Sequence, residues 1–120
     1  RQLLYVNFEF APFCFVRNAD DLLSLYQLYR KEKLSAGKIY LFLDEIQNIA
    51  EWEKAVNSLS QDYTEDCEIV ITGSNSKMLS SQLSTLLSGR YIEFKVFPFN
   101  IEEYALISER NVNKDTYMEF

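Results

Sequence analysis

The sequence predicts an α/β fold, a three-layer arrangement of a parallel sheet with flanking helices. Two observations carry this. Short apolar runs alternate with segments of helical periodicity along the whole chain, in the order strand, helix, four times over. One run, Ile39 to Leu43 (IYLFL), is continuously apolar, as a strand buried on both faces of a parallel sheet requires.

The elements follow in order. Leu3 to Phe8 (LLYVNF) has strand character, and Glu9 to Arg17 reads as a loop marked by Pro12. Asn18 is placed to cap a helix, with Asp21 three residues on. Leu22, Leu25, Tyr26 and Tyr29 recur at helical spacing, Arg30, Lys31 and Lys33 suit the negative end of the helix dipole, and Gly37 ends the segment. After IYLFL comes DEIQNI, then a helix with Ile49, Trp52, Val56 and Leu59 on one face. Cys67 to Thr72 predicts a strand closed by Gly73. Ser76 to Ser88 predicts a helix with Leu79, Leu83, Leu86 and Leu87 on one stripe and Gly89 as its C-cap. Tyr91 to Phe97 alternates as a strand does, with Ile92, Phe94 and Val96 on one face and Pro98 as its stop. Asn100 and Glu103 form a second capping-box pattern at the head of IEEYALI.

Composition bounds the function. A chain of 120 residues, 48 % apolar, is enough for one modest domain with a core, and nine Phe and eight Tyr give it large packing area. The opening at Arg1, without an initiator Met, leads us to expect a piece of a longer parent. A net charge of −6 argues against this segment gripping nucleic acid directly. No apolar run is long enough to span a bilayer, so no membrane role is expected. The absence of His excludes a Ser-His-Asp triad and argues against a zinc site. Cys14 and Cys67 lack metal-ligand company and read as small buried or half-buried residues of a reduced, cytoplasmic protein.

The strongest chemical signal is Asp44-Glu45, directly after the IYLFL strand. Ligands of open α/β sheets sit at that carboxyl-terminal edge. An Asp there can hold a magnesium ion through its waters, and a neighbouring Glu can polarise the water that attacks a terminal phosphate. The same two residues also suit a helix start, where Asp caps and Glu favours the first turn. A second strand ends in Thr72-Gly73-Ser74-Asn75, from which Ser74 or Asn75 can reach the water or the phosphate; a plain turn uses the same residue types. Arg90, after Gly89, suits an arginine finger reaching a neighbouring subunit's nucleotide, or a solvated helix end. Gln47 and Asn48 either tether the loop beside the acids or cap a helix. Trp52 lies on the apolar stripe and belongs to the core.

Taken together, IYLFLDEIQNIAEWEKAVNSL and IVITGSNSKMLSSQLSTLLSGRYIEFKVFPFNIEEY resemble a prokaryotic family of AAA+-superfamily P-loop ATPases, whose members commonly carry a C-terminal domain of unknown function. The match runs from about the first strand to Tyr104, and the spacing of three motifs makes it specific. The resemblance implies that Asp44 and Glu45 form the Walker B pair, that Ser74 and Asn75 stand at the sensor-1 turn, and that Arg90 takes the arginine-finger place. It also implies ATP and Mg2+ as ligands of the intact parent and a homo-oligomer as its state. The chain departs from the family in one respect: no G-x-x-x-x-G-K-[ST] occurs. Gly37-Lys38 is followed by Ile39, and Glu32 stands where the first glycine would. Residues 1–120 therefore read as a partial core holding the family's strands 2 to 5, without the first strand and its phosphate loop. The isolated chain is expected to bind ATP weakly or not at all, and the strand at Tyr91 to Phe97 to lack its family neighbour. A degenerate nucleotide-dependent switch and a pure protein-interaction domain on the same scaffold are the alternatives.

Overall fold

The computed structural model describes residues 2–33, 37–62, 66–74, 81, 83, 85 and 90–108. Three strands, β1 (Gln2–Asn7), β2 (Ile39–Asp44) and β3 (Cys67–Ile71), form one parallel sheet in the order β1-β2-β3. The crossovers carry α1 (Ala19–Lys33) and α2 (Trp52–Gln61), and α3 (Ile101–Ile107) follows later in the chain. The sheet is α/β in type, with helices flanking it, as the alternation predicts.

The central strand is the most apolar, because both its edges are hydrogen-bonded and its inner face is fully covered. Ile39, Leu41 and Leu43 are wholly buried, whereas Tyr40, Phe42 and Asp44 on the other face are half-buried. The inner face meets Val6 of β1, Ala19, Leu22 and Tyr26 of α1, and Trp52, Ala55, Val56 and Leu59 of α2 in one core. Burial on this scale stabilises by roughly 1.5–3 kcal/mol per large side chain. Trp52 is buried as expected, although its Nε1 has no partner among the described residues. The register pairs Asn7 with Asp44 and Leu43 with Ile71, so the three strands end nearly level.

Helix starts follow local chemistry. Asn18 Oδ1 accepts from the Asp21 backbone N–H at 3.0 Å, and Asp21 Oδ2 accepts from the Arg17 N–H at 2.9 Å. The return bond thus lands one residue before the cap. In α3 the box closes fully: Asn100 Oδ1 accepts from the Glu103 N–H, and Glu103 Oε2 accepts from the Asn100 N–H, both at 2.9 Å.

Three expectations need correcting. Ile49 is buried but lies outside α2, in extended backbone; a 3-10 turn (Ile46–Asn48) comes first, and the helix starts only at Trp52, after the left-handed Glu51. Cys14 is exposed rather than buried, because the turn at Ala11–Phe13 sits on the surface; neither Cys14 nor Cys67 is in a disulfide. Residues 91–100 form no strand. Ile92, Phe94, Val96 and Phe97 are 78–92 % exposed, and the outer edge of β3 gains no partner from them. Their alternation is strand-like, but a strand needs a neighbour to satisfy its backbone groups and a layer to cover its apolar face.

Of the helix expected at Ser76 to Ser88, residues 81, 83 and 85 are helical, and Leu83 packs on the core. Leu79, Leu86, Leu87 and the Gly89 cap lie outside the described residues. Among the described residues no helix is long and apolar enough to cross a membrane.

Candidate functional site

Parallel register brings side chains from the two flanking strands onto Asp44. Asn7 is its direct partner on β1, and its Nδ2 donates to Asp44 Oδ2 at 3.1 Å. Tyr5 lies two residues earlier on the same face, and its long side chain lets the hydroxyl donate to the same oxygen at 2.7 Å. From the other side the Thr72 hydroxyl, just beyond β3, donates to Asp44 Oδ1. The Thr72 and Tyr5 hydroxyls hold the carboxyl of Asp44 below the ordinary carboxylate range, aided by the Glu45 N–H and opposed by partial burial. The same bond raises the Tyr5 phenol above its usual range, since losing its proton would leave two negative oxygens face to face.

Glu45 follows in left-handed backbone, at φ 56° and ψ 46°. This conformation is uncommon for a residue other than Gly, Asn or Asp. It breaks the strand and turns the chain toward the end of β3, where the Ile46 N–H donates to the Thr72 carbonyl at 3.1 Å. The Glu45 N–H donates to Thr72 Oγ1 at 3.3 Å. The Glu45 carboxylate lies beside Ser74: Oε2 accepts from the Ser74 hydroxyl at 3.0 Å and from its N–H at 3.3 Å. Gln47 Nε2 donates to the same Oε2 and also reaches Ser74 Oγ at 3.3 Å. The Gln47 amide chiefly, then Ser74, hold the Glu45 carboxyl below its ordinary range, against burial and the Asp44 charge.

Helix capping does not account for the acidic pair. Glu45 makes no side-chain cap bond to the turn at Ile46–Asn48, and the cap of α2 is Glu51, which also makes none. Both acids bond sideways, across the sheet end. The structure therefore brings together Asp44, Glu45 and Ser74, three of the residues singled out in the sequence. Asn75 lies outside the described residues. Arg90 is exposed and is not among the hydrogen-bond partners of either acid; it lines a cavity of about 550 Å³ against Val56, Leu83 and β3. A second cavity, about 670 Å³, runs between Val70–Ser74 and Glu93–Pro98 and so ends at Ser74.

Tyr5, Asn7 and Thr72 were not singled out in the sequence. The period-2 spacing of Tyr5 and Asn7 in LLYVNF is the signal that finds them, once β1 is known to neighbour β2 in this register. In the sequence Thr72 reads only as the last residue of a strand.

The site offers oxygen donors. Among the described residues no cluster of three acidic or sulfur ligands occurs, so no all-protein metal cage is present. A magnesium ion needs none: it is commonly held by one or two carboxylates together with waters and substrate phosphates. Asp44 already accepts three hydrogen bonds on its two oxygens, which fits contact through water better than a direct bond.

A family profile described as "AAA domain" matches residues 1–105. An uncharacterized protein of Haemophilus influenzae is 42 % identical over 114 residues, covering 95 % of this chain and 27 % of that protein. An uncharacterized protein of Methanocaldococcus jannaschii is 33 % identical over 111 residues, covering 92 % of this chain and 24 % of that protein. The chain thus spans about a quarter of the length of the relatives it matches. No solved structure is significantly similar to it. With its parallel β1-β2-β3 sheet and flanking helices, an α/β core of the P-loop NTPase kind, the chain belongs to the AAA domain family.

Proposed function

We propose that this chain supplies the metal-and-water side of an ATP-hydrolysing site, completed in the longer protein by a phosphate-binding loop from outside these residues. The observation that carries the reading is the pairing of Glu45 with Ser74 beside Asp44, at the carboxyl edge of the central strand. When bound, Mg2+ would neutralise charge on the phosphates of ATP. Asp44 would hold the ion through water, its carboxylate kept ionised by Thr72 and Tyr5. Glu45 orients the attacking water and accepts its proton. Ser74, with Asn75 next to it, senses the terminal phosphate from the neighbouring strand. Arg90 reaches a second subunit's nucleotide in a homo-oligomer, and the whole acts in the cytoplasm.

The test is magnesium-dependent ATP hydrolysis by the full-length protein. Glu45→Gln should lower kcat by roughly 100-fold or more while ATP still binds. Asp44→Asn should raise the magnesium requirement. Unchanged turnover in Glu45→Gln would remove Glu45 from the mechanism.

A second reading has one observation of its own. The exposed apolar residues Ile92, Phe94, Val96, Phe97 and Phe99 suit a protein-interaction module, with nucleotide as a switch or absent altogether. A full-length protein that neither binds nor hydrolyses ATP would favour it.

A further inference from the structure

We propose that Gln47 is a positioning residue that clamps Glu45 by its Oε2, leaving Oε1 as the oxygen that meets the attacking water. This rests on the ATP-hydrolysis reading above.

The geometry assigns Gln47 this place. Its Nε2 donates to Glu45 Oε2 and reaches Ser74 Oγ at 3.3 Å, so one amide ties the end of β2 to the segment after β3. Ser74 donates to the same Oε2 twice, from Oγ at 3.0 Å and from N at 3.3 Å. A carboxylate oxygen offers two lone pairs, and three donors saturate it. Among the described residues nothing donates to Oε1. The two oxygens of Glu45 are therefore unequal among the described residues: Oε2 is anchored by three donors and Oε1 accepts from none.

Two further features show that this arrangement is held against a cost. Gln47 Oε1 is buried with no hydrogen-bond partner among the described residues. Turning the amide over would set an oxygen against the Glu45 carboxylate, so the charge of Glu45 fixes the amide while its other end goes unsatisfied. Glu45 itself keeps a left-handed backbone that its side chain disfavours. The turn that presents Gln47 is pinned by Ile46, fully buried, and by its N–H bond to Thr72. Gln47 is thus delivered by a rigid element to a strained acid, and it acts only through that acid.

The experiment uses the full-length protein. Gln47→Met keeps length and volume but has no donor. It should lower kcat at least ten-fold, leave the KM for MgATP within about two-fold, and add no further loss in a Glu45→Gln background. Gln47→Asn keeps the amide but loses reach, and should show the same split if Gln47→Met does not fold. Independently of turnover, in nucleotide-free protein with 15N-labelled glutamine side chains, the Gln47 amide resonance should move on Glu45→Gln. A normal kcat in both variants, a further loss of kcat in the Glu45→Gln background, or a Gln47 amide indifferent to Glu45→Gln would overturn the clamp. If Glu45→Gln alone leaves kcat intact, the hydrolysis reading has failed. If only Glu45→Gln lowers it, the clamp has failed and that reading stands.

Discussion

Tyr5 donates its hydroxyl to Asp44 Oδ2 at 2.7 Å across 39 residues of sequence. The parallel β1-β2 register makes that reach available, since Tyr5 sits opposite Phe42 and Asn7 opposite Asp44. Besides widening the sheet, β1 thereby contributes two donors to the acid at the end of the central strand.

This has a pH consequence. Asp44 and Glu45 both have folded-state pKa values below their ordinary 3.8 and 4.5, the first through Thr72 and Tyr5, the second through Gln47 and Ser74. A group lowered in this way binds its proton less readily folded than unfolded. Its stabilising share is present above about pH 4.5 and drains away as pH falls through the folded value. Both acids are partly open to solvent, so the share of each is small. Urea midpoints of this chain between pH 7 and pH 3 should fall less steeply in Asp44→Asn and in Glu45→Gln than in the natural sequence. Parallel curves would show that these bonds contribute nothing to folding.

Helix capping belongs to Asn18 and not to the acidic pair. Asn18→Ala removes the acceptor of the Asp21 N–H and should destabilise the chain by about 1 kcal/mol. A thermal or urea melt measures it. A loss from Glu45→Ala as large as that from Asn18→Ala would mean the acid has a structural role that the bond pattern does not show.

Among the described residues, Glu51 is the other non-glycine with left-handed backbone, at φ 55°, and it opens α2 without a side-chain cap bond. Left-handed backbone costs a residue with a side chain roughly 1–2 kcal/mol. Glycine removes that cost and brings back about 0.5–1 kcal/mol of chain entropy. Glu51→Gly should therefore raise the urea midpoint slightly, and Glu51→Val should lower it. The ion pair of Glu51 with Lys54 is exposed and adds little to the comparison. Equal midpoints for Gly and Val would show that the backbone is not strained here.

What the sequence makes legible is whatever depends on local pattern. IYLFL reads correctly as a strand, but its continuous apolarity overstates burial on the second face, where Tyr40 and Phe42 are only half-buried; Asn100 with Glu103 reads as a box because both partners lie within one turn. Ile49 misleads because its apolar side chain keeps helical spacing across a turn that is not helical. Asp44 and Ser74 are visible as residues at strand ends, but Tyr5, Asn7 and Thr72 are not, since their roles exist only through strand order and register. The Tyr91 to Phe97 expectation fails for the same reason: alternation marks what can be a strand, and pairing depends on a neighbour.

That unpaired segment carries the last prediction. Ile92, Phe94, Val96, Phe97 and Phe99 are 60–92 % exposed, and the outer edge of β3 beside them is open among the described residues. An open strand edge next to exposed aromatic and branched residues invites pairing. The 120-residue chain on its own should bind a hydrophobic dye and self-associate as its concentration rises, by sedimentation or light scattering. It should also bind ATP weakly or not at all, since it has no glycine-rich loop to grip the phosphates. In the full-length protein, a further strand against β3 should suppress both dye binding and self-association. A lone chain that stays monomeric and dye-free, or that binds ATP at micromolar concentration, would show that residues 1–120 are already a closed unit and that nothing from outside them completes the sheet.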